Sequence, residues 1–262
     1  MLSLKGNGVC GGIAIARLVV LSRQDAVKRY QINNADEEIA RFHTAREKAI
    51  AEQARLAEKA TAEVGEENAQ IFEVHQMMLE DLDYIESIEN IIREQMVNAE
   101  AAIDETAANF AAMFTAMDDE YMQARAADVQ DISQNVLKCL SAEAELDSVQ
   151  EEKYILAADD LAPSETMQMD QKLVQGFVTA LGSTNSHTAI LARTIGIPAV
   201  VNTGMVLGAE YNNKIVIIDG DSGEVFVDPD AKTLAVMQEK LQQDLARKEL
   251  LQSFKGKESI TQ

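Results

Sequence analysis

The apolar residues of this 262-residue chain follow two different patterns, and the pattern changes twice along the sequence. Before residue 22 and again after residue 147, they form short runs that are typical of β-strands. Between residues 35 and 140, they recur every three or four positions, as on the buried face of a helix. The sequence therefore predicts an α/β unit whose chain is interrupted by a block of helices.

The block of helices shows no strand-like alternation and is divided by short breaks. The acidic residues Asp36, Glu37 and Glu38 begin its first helix, and Gly65 ends that helix. Because short connections join antiparallel neighbours, we expect a helical bundle or a pair of helical hairpins. The predicted segments cover residues 36–65, 69–82, 84–92, 99–117 and 118–140.

The rest of the chain predicts short strands on both sides of this insertion. The clearest are a first strand, residues 13–21, and a hairpin that joins residues 214–219 to 224–227. The charged tail from Asp230 predicts a C-terminal helix. The expected organisation is an α/β subdomain of residues 1–21 and 144–229, an all-α subdomain of residues 22–143, and a linker helix of residues 230–262.

A short turn of small polar residues lies between a buried strand, residues 173–180, and a helix that begins near Ser186. Gly196 ends that helix, and Pro198 prevents its continuation. His187 lies in the first turn, where backbone N–H groups and the positive end of the helix dipole favour an anion. This combination predicts a histidine that contacts a phosphate, whereas a purely local capping role is the alternative for a lone histidine.

Charge and composition narrow the possible partners. The formal charge of -21 and a pI near 4.5 argue against binding to nucleic acid or to an anionic membrane, and they favour a basic partner. No apolar run approaches the roughly 20 residues of a membrane span. The N-terminus lacks the apolar core of a signal peptide, and Cys10 and Cys139 are expected to be free thiols. These features favour a cytoplasmic location.

Several other kinds of site are not indicated. The glycine-rich segment 6–12 lacks the lysine and hydroxyl residue of a Walker phosphate loop, so we expect strand and turn geometry there. No G-x-S-x-G elbow surrounds Ser183 or Ser186, which argues against a serine hydrolase. The sequence shows no compact ligand set of His, Cys and acidic residues, so neither a metal nor a cofactor is expected.

The turn and helix around His187 resemble the phosphohistidine segment of Enzyme I from the bacterial phosphoenolpyruvate–sugar phosphotransferase system. In that family the segment is a Gly-Gly-Arg-Thr-Ser-His-Thr-like run that ends in Ala-Arg. Ser183, Thr184 and Asn185 stand where the family usually has Gly, Arg and Thr. The residues that fit are Ser186, His187, Thr188, Ile190, Ala192 and Arg193, and further matching segments occur at 66–75, 119–128, 157–166 and 197–200.

The resemblance implies a phosphohistidine swivelling-type α/β subdomain with an inserted all-α helical-hairpin bundle, and a phosphoryl relay at His187. The phosphoryl group would come from phosphoenolpyruvate and pass to the histidine of the carrier protein HPr. In the family, Nε2 of this histidine attacks phosphorus, and a hydroxyl at the position of Thr166 orients the other ring nitrogen. Ser186, Thr188 and the backbone amides of the turn are expected to donate to phosphate. Arg193 is placed in the same catalytic site, and because it lies one turn further along, a structural role is its alternative.

The resemblance also implies that HPr docks on the helical insert. Apolar anchors inside an acidic ring would suit a basic, partly apolar partner face. Methionines at helical spacing are more often core residues, and glutamates are usually solvated, so a structural role is the alternative. The implied docking residues are Glu66, Glu67, His75, Met77, Met78, Asp81, Phe114 and Arg125.

The family's larger C-terminal barrel, which binds phosphoenolpyruvate and magnesium and forms the dimer, has no counterpart in this sequence. We therefore expect the N-terminal part of such a protein, monomeric by itself, with magnesium and a homodimer only in the full-length chain. Two alternatives remain. One is the histidine domain of a pyruvate, phosphate dikinase or phosphoenolpyruvate synthase, although those enzymes lack a helical insert of this kind. The other is a helical adaptor that binds a partner without catalysis.

Overall fold

The chain folds into two compact units. The computed structural model describes residues 1–21, 27–141, 152–170 and 172–254. The sheet unit comprises Met1–Ser22, Gln150–Leu161 and Met169–Gln262. The helical unit comprises Arg23–Val149 and Ala162–Gln168.

This division differs from the predicted subdomains in two places. The sequence places residues 162–168 in the α/β subdomain, whereas in the structure they belong to the helical unit. The predicted linker helix belongs to the sheet unit. The predicted boundaries at residues 22 and 143–144, and the end of the predicted linker helix, lie outside the described residues.

The helical unit is built around an apolar core. All the segments that the sequence predicts as helical are helices. The helix α1 packs along α2, and α4 packs along α5, with Phe42, Leu79, Ile88 and Ile132 fully buried between the helices. None of the described helices is long and apolar enough to cross a membrane. The helices are α1 (Ala35–Val64), α2 (Glu66–Glu80), α3 (Leu82–Gln95), α4 (Ala99–Thr115), α5 (Glu120–Leu140) and the short α6 (Pro163–Gln168).

Capping residues set the ends of these helices. The side chain of Asn34 accepts hydrogen bonds from the backbone N–H groups of Asp36 (3.1 Å) and Glu37 (3.4 Å) at the start of α1. Asp81 caps α3 in the same way. Gly65 ends α1 with a φ of +90°, which favours glycine, and α2 begins at the next residue. Because a single residue joins them, α1 and α2 form a helical hairpin, as predicted.

The sheet unit contains a mixed sheet of eight strands in the order β1-β8-β7-β3-β4-β5-β6-β2. Strands β3 to β6 are parallel, and the other neighbouring pairs are antiparallel. The predicted hairpin is confirmed as β7 and β8. The strands are β1 (Leu2–Lys5), β2 (Asn7–Cys10), β3 (Ile13–Val20), β4 (Tyr154–Ala158), β5 (Val174–Thr179), β6 (Ala199–Val201), β7 (Ile215–Asp219) and β8 (Glu224–Val227).

Helices α7 (His187–Ile195) and α8 (Ala231–Phe254) complete the sheet unit, together with a 3-10 turn at Ala209–Tyr211. The Lys240 side chain of α8 donates a hydrogen bond to Asp219, which is buried at the end of β7. Burial by itself raises the pKa of Asp219, but hydrogen bonds from Lys240 and Ser222 outweigh it and hold the pKa below its usual range. This ion pair attaches α8 to the sheet.

The glycine-rich N-terminal segment has the strand and turn geometry that the sequence predicts. It forms β2 and passes very close to the turn between β7 and β8. A Cβ atom on Gly8 would lie 2.0 Å from the carbonyl oxygen of Gly220, and one on Gly220 would lie 1.9 Å from that of Cys10. The two backbones can approach this closely only because neither residue has a side chain.

We therefore expect Gly220→Ala to lower the free energy of unfolding by about 2 kcal/mol or more, because the added methyl group must displace backbone rather than a side chain. Gly208→Ala is the matched control, since its Cβ would meet only the mobile carboxylate end of Glu210. Urea denaturation of the two variants measures the difference. Equal stability of the two variants would contradict this account of the crossing.

Candidate functional site

The residues that follow strands β4 and β5 lie at one edge of the sheet, because the carboxyl ends of parallel strands meet there. The backbone N–H groups of Ala180 and Leu181 donate to the carbonyl oxygens of Ala158 (2.9 Å) and Asp159 (2.8 Å). These hydrogen bonds continue the pairing of the two strands beyond their ends. The loop that follows β5 therefore leaves the sheet from a fixed position.

Side chains and a glycine hold this loop further. The Thr179 hydroxyl donates to the carbonyl oxygen of Leu181 (2.6 Å), and the Thr203 hydroxyl donates to that of Thr179 (2.9 Å). Gly182 has a φ of +95°, and a Cβ atom on it would lie 3.3 Å from Oδ1 of Asp160. A positive φ and a close carboxylate both favour glycine at this position. The loop conformation is thus specified before the helix begins.

His187 is the first residue of α7, and its side chain is half-buried. Ser186 occupies the N-cap position, and its Oγ accepts a hydrogen bond from the backbone N–H of Ala189 (3.3 Å). The backbone N–H groups of the first helical turn and the positive end of the helix dipole therefore lie beside His187. This is an environment that stabilises an anion next to the imidazole.

The Thr188 hydroxyl forms a hydrogen bond in the interior of the protein. Thr188 is fully buried, and its Oγ1 donates to Oδ1 of Asp160 at 3.4 Å. The same Asp160 oxygen accepts the backbone N–H of Leu161 (2.9 Å). The hydroxyl therefore faces the interior and ties α7 to the residues after β4, while its expected donation to phosphate stays a prediction.

Arg193 reaches back from the second turn of α7 to the loop. Its Nη1 donates to the carbonyl oxygen of Thr184 at 3.0 Å. Within the loop, the backbone N–H of Asn185 donates to Oγ of Ser183 (3.2 Å), and that of Ser186 donates to the Ser183 carbonyl oxygen (3.1 Å). The three residues that differ from the usual Enzyme I segment thus form a compact turn that Arg193 supports.

Thr166 belongs to α6 of the helical unit, whereas His187 belongs to the sheet unit. The Thr166 side chain is buried, and its Oγ1 donates to the carbonyl oxygen of Pro163 at 2.7 Å. Because that hydrogen bond uses the hydroxyl proton, the oxygen of Thr166 remains available as an acceptor.

The predicted docking residues differ in how far their side chains are exposed to solvent. Four are exposed: Glu66, Glu67, Met77 and Asp81. Met78, Phe114 and Arg125 are partly buried, and Met78 packs against the apolar core. His75 is 0% exposed, so its assignment to a docking surface is wrong. Its position on α2 faces α5, where two buried carboxylates surround it.

Arg125 and Asp128 form a partly buried ion pair on α5. Nη1 of Arg125 donates to Oδ2 of Asp128 at 2.8 Å, and the guanidinium lies 4.5 Å from the centre of the Tyr121 ring. Burial by itself raises the pKa of Asp128, but contacts with His75 and Arg125 outweigh it and hold the pKa below its usual range. The charge of Arg125 is therefore largely balanced inside the helical unit.

Four residues that shape the site are missed by sequence reasoning: Asp160, Thr179, Thr203 and Asp131. A signal exists for Asp160, because it follows a buried strand and precedes a helix start. Thr203 and Asp131 act through long-range hydrogen bonds that leave no pattern in the sequence, and the local bond of Thr179 to Leu181 leaves none either. Among the residues that the structure describes, no three His, Cys, Asp or Glu side chains are close enough to hold a metal ion.

Two known protein families match this chain, and together the matched residues lie in both units. Residues 5–125 match the family described as PEP-utilising enzyme, N-terminal, and residues 150–223 match the PEP-utilising enzyme, mobile domain. The second match contains the strands, the loop and the helix that carry His187.

Relatives that match almost the whole chain carry one name. The phosphoenolpyruvate-protein phosphotransferase of Bacillus subtilis (strain 168) is 39% identical over 250 residues, which are 95% of this chain and 44% of the relative. That of Priestia megaterium is 40% identical over 239 residues, 90% of this chain and 42% of the relative. The chain thus spans less than half the length of these curated relatives.

Solved structures match over nearly their full length. An NMR solution structure of Enzyme I shares 36% identity and a TM-score of 0.71, covering 92% of this chain and 98% of that one. A structure titled N-terminal domain of Enzyme 1 - Nitrogen shares 26% identity and a TM-score of 0.61, covering 90% and 98%. The resemblance seen in the sequence is confirmed: the chain belongs to the Enzyme I family of PEP-utilising enzymes and corresponds to the N-terminal domain of that enzyme.

Proposed function

We propose that this domain is a phosphoryl relay in which His187 carries the phosphoryl group. In the longer protein it would receive this group from phosphoenolpyruvate and pass it to HPr. The observation that carries the proposal is the half-buried imidazole at the first position of α7, beside the positive end of the helix. The printed name of the relatives, phosphoenolpyruvate-protein phosphotransferase, supports the same reaction class.

The proposed chemistry consists of two phosphoryl transfers. In the first, the Nε2 lone pair of His187 attacks phosphorus, an N–P bond forms, and the P–O bond to the departing enolate of pyruvate breaks. In the second, a ring nitrogen of the HPr histidine attacks, and the N–P bond at His187 breaks. Nothing is oxidised or reduced. The protein's task is to position the groups and to stabilise the negative charge of the phosphoryl oxygens.

Helix α7 and the loop before it would supply that stabilisation. Backbone N–H groups of the first turn can donate to the phosphoryl oxygens, as at other helix N-termini that bind phosphate. Thr184 replaces the arginine that is usual in the family, so this chain lacks that cation beside the phosphate. We infer that it relies more on backbone donors than its relatives do.

The roles of Thr166 and of the docking residues stay predictions. The Thr166 oxygen can accept a hydrogen bond from an imidazole N–H, because its own proton is donated to Pro163. The exposed residues Glu66, Glu67, Met77 and Asp81 combine acidic and apolar character, which suits a basic, partly apolar face of HPr. A cytoplasmic location and a homodimer of the longer protein belong to the same proposal.

The alternatives are less well supported. A pyruvate, phosphate dikinase would also contain a mobile histidine domain, but residues 5–125 match the N-terminal family model and the relatives carry the phosphotransferase name. A non-catalytic adaptor would have no need of the capped histidine helix and its fixed loop. Experiments on His187, Glu67 and Arg193 distinguish the relay from these alternatives.

We expect phospho-HPr to transfer acid-labile phosphate to the parent chain and not to His187→Ala, because the variant lacks the ring nitrogen that attacks phosphorus. His43→Ala is the matched control, since His43 is also half-buried but pairs with Glu89 in the helical unit at 2.9 Å. Intact-mass spectrometry at alkaline pH measures the label. Equal labelling of His187→Ala and the parent would refute the relay.

We expect Glu67→Lys to weaken HPr binding about fivefold at low salt, and less at 1 M salt, because screening removes the attraction between opposite charges. Glu239→Lys changes the net charge equally on an exposed residue of the sheet unit, and it should bind like the parent. Isothermal titration calorimetry measures both. Identical losses for the two variants would assign the effect to net charge instead of to a docking surface.

We expect Arg193→Ala to slow phosphoryl transfer about tenfold, because the loop loses the donor that holds the Thr184 carbonyl. The affinity for HPr should not change. Arg17→Ala removes an equivalent contact, from Nη1 to the Asn213 carbonyl oxygen at 3.0 Å, and serves as the control. Rapid-quench transfer kinetics and calorimetry measure the two quantities. A parental transfer rate in Arg193→Ala would show that the contact has no part in the reaction.

A further inference from the structure

A buried hydrogen-bond network joins α5 to α6 within the helical unit. The Asp131 carboxylate accepts from the backbone N–H of Ser164 (3.2 Å), from the Ser164 hydroxyl, and from Nδ2 of Asn135 (3.1 Å). Asp131 is 4% exposed and Ser164 is 0% exposed. Hydrogen bonds to a buried carboxylate are among the stronger ones in proteins, so this contact fixes the start of α6 firmly.

Helix α6 needs such an external contact. It is only six residues long, and the residue before Pro163 is Ala162, which has no side chain able to cap the helix. Asp131 instead provides the acceptor from another helix. The Glu165 carboxylate accepts the backbone N–H of Ala162 (2.9 Å), so two acidic side chains hold the first turn. Negative charge at this end also matches the helix dipole.

His75 lies beside Asp131 in the helical unit. Nδ1 of His75 lies 3.7 Å from Oδ2 of Asp131, and Nε2 lies 3.4 Å from Oδ1 of Asp128. Asp128 and Asp131 are three residues apart on α5, so they share one face and would repel each other. The imidazole lies between them, and Arg125 pairs with the outer oxygen of Asp128. Among the described residues neither ring nitrogen of His75 has a hydrogen-bond partner, so the hydrogen bonds of Asp131 come from Ser164 and Asn135.

We propose that Asp131 is a positioning residue that fixes α6, and with it Thr166. The functional part of this inference rests on the proposed role of Thr166 in the relay at His187. His75, which resemblance places in the docking set, is buried beside Asp131. Substitutions of Asp131 and Ser164 act on transfer and not on the affinity for HPr.

The first experiment measures amide hydrogen exchange of α6 by NMR in the isolated domain, without any partner. Asp131→Ala should speed exchange of the Thr166 and Met167 amides about tenfold relative to the parent, because the first turn loses its capping acceptor. Ser164→Ala removes only the hydroxyl contact and should have a smaller effect in the same residues. It also serves as the second variant if Asp131→Ala does not fold.

The matched control is Ser133→Ala. Ser133 is a buried serine of α5 whose hydroxyl contacts the Tyr84 hydroxyl at 2.8 Å and not α6. It should leave α6 exchange unchanged. If α6 exchanges at the parental rate in both Asp131→Ala and Ser164→Ala, or if Ser133→Ala accelerates it equally, the positioning role is overturned.

The second experiment measures transfer from phospho-HPr and HPr affinity in the same variants. The proposal requires a transfer rate about tenfold lower in Asp131→Ala, an unchanged Kd, and a smaller decrease in Ser164→Ala. Faster α6 exchange with a parental transfer rate would overturn the link between α6 and the relay, while His187 could still carry phosphate. If the parent chain itself takes up no phosphate, the proposed function fails and the functional half of this inference falls with it.

Discussion

The candidate site depends on the hydrogen bonds that hold the chain where it leaves β5. The backbone N–H groups of Ala180 and Leu181 donate to the last residue of β4 and to the residue after it, and the carbonyl oxygen of Ala180 accepts the N–H of Gly204 at 2.9 Å. Because both sides of the strand end are paired, the loop has one direction of exit. Helix α7 then begins at a fixed point, and its first residue is His187. The position from which the His187 side chain leaves the backbone is thereby fixed as well.

The site combines a rigid sheet edge with interactions that arrive from far along the chain. Thr188 contacts Asp160, 28 residues earlier, and Arg193 supports the loop from within α7. The polar residues of this turn therefore have different structural roles. Ser186 caps the helix, Thr188 faces the interior, and the imidazole remains at the surface of the unit.

The sequence predicts those parts of the fold that have a local signal. The helices of the insert follow from apolar spacing and from caps such as Asn34 and Asp81, and the start and end of α7 follow from Ser186 and Gly196. The sequence does not show that residues 162–168 belong to the helical unit, because a helix of six residues is too short to show which core it joins. The sequence does not predict the burial of His75 either, because its neighbours Asp128 and Asp131 lie more than 50 residues away along the chain.

The connectivity of the two units has a consequence for how the helical unit can be isolated. The chain enters that unit, leaves it, returns for residues 162–168 and leaves again, so its sequence is discontinuous. A recombinant protein ending at the last residue of α5 would lack Ser164 and would leave the Asp131 carboxylate without the donors of α6. The smallest autonomous folding module therefore needs the returning seven-residue segment, supplied either by a designed fusion or as a peptide in trans.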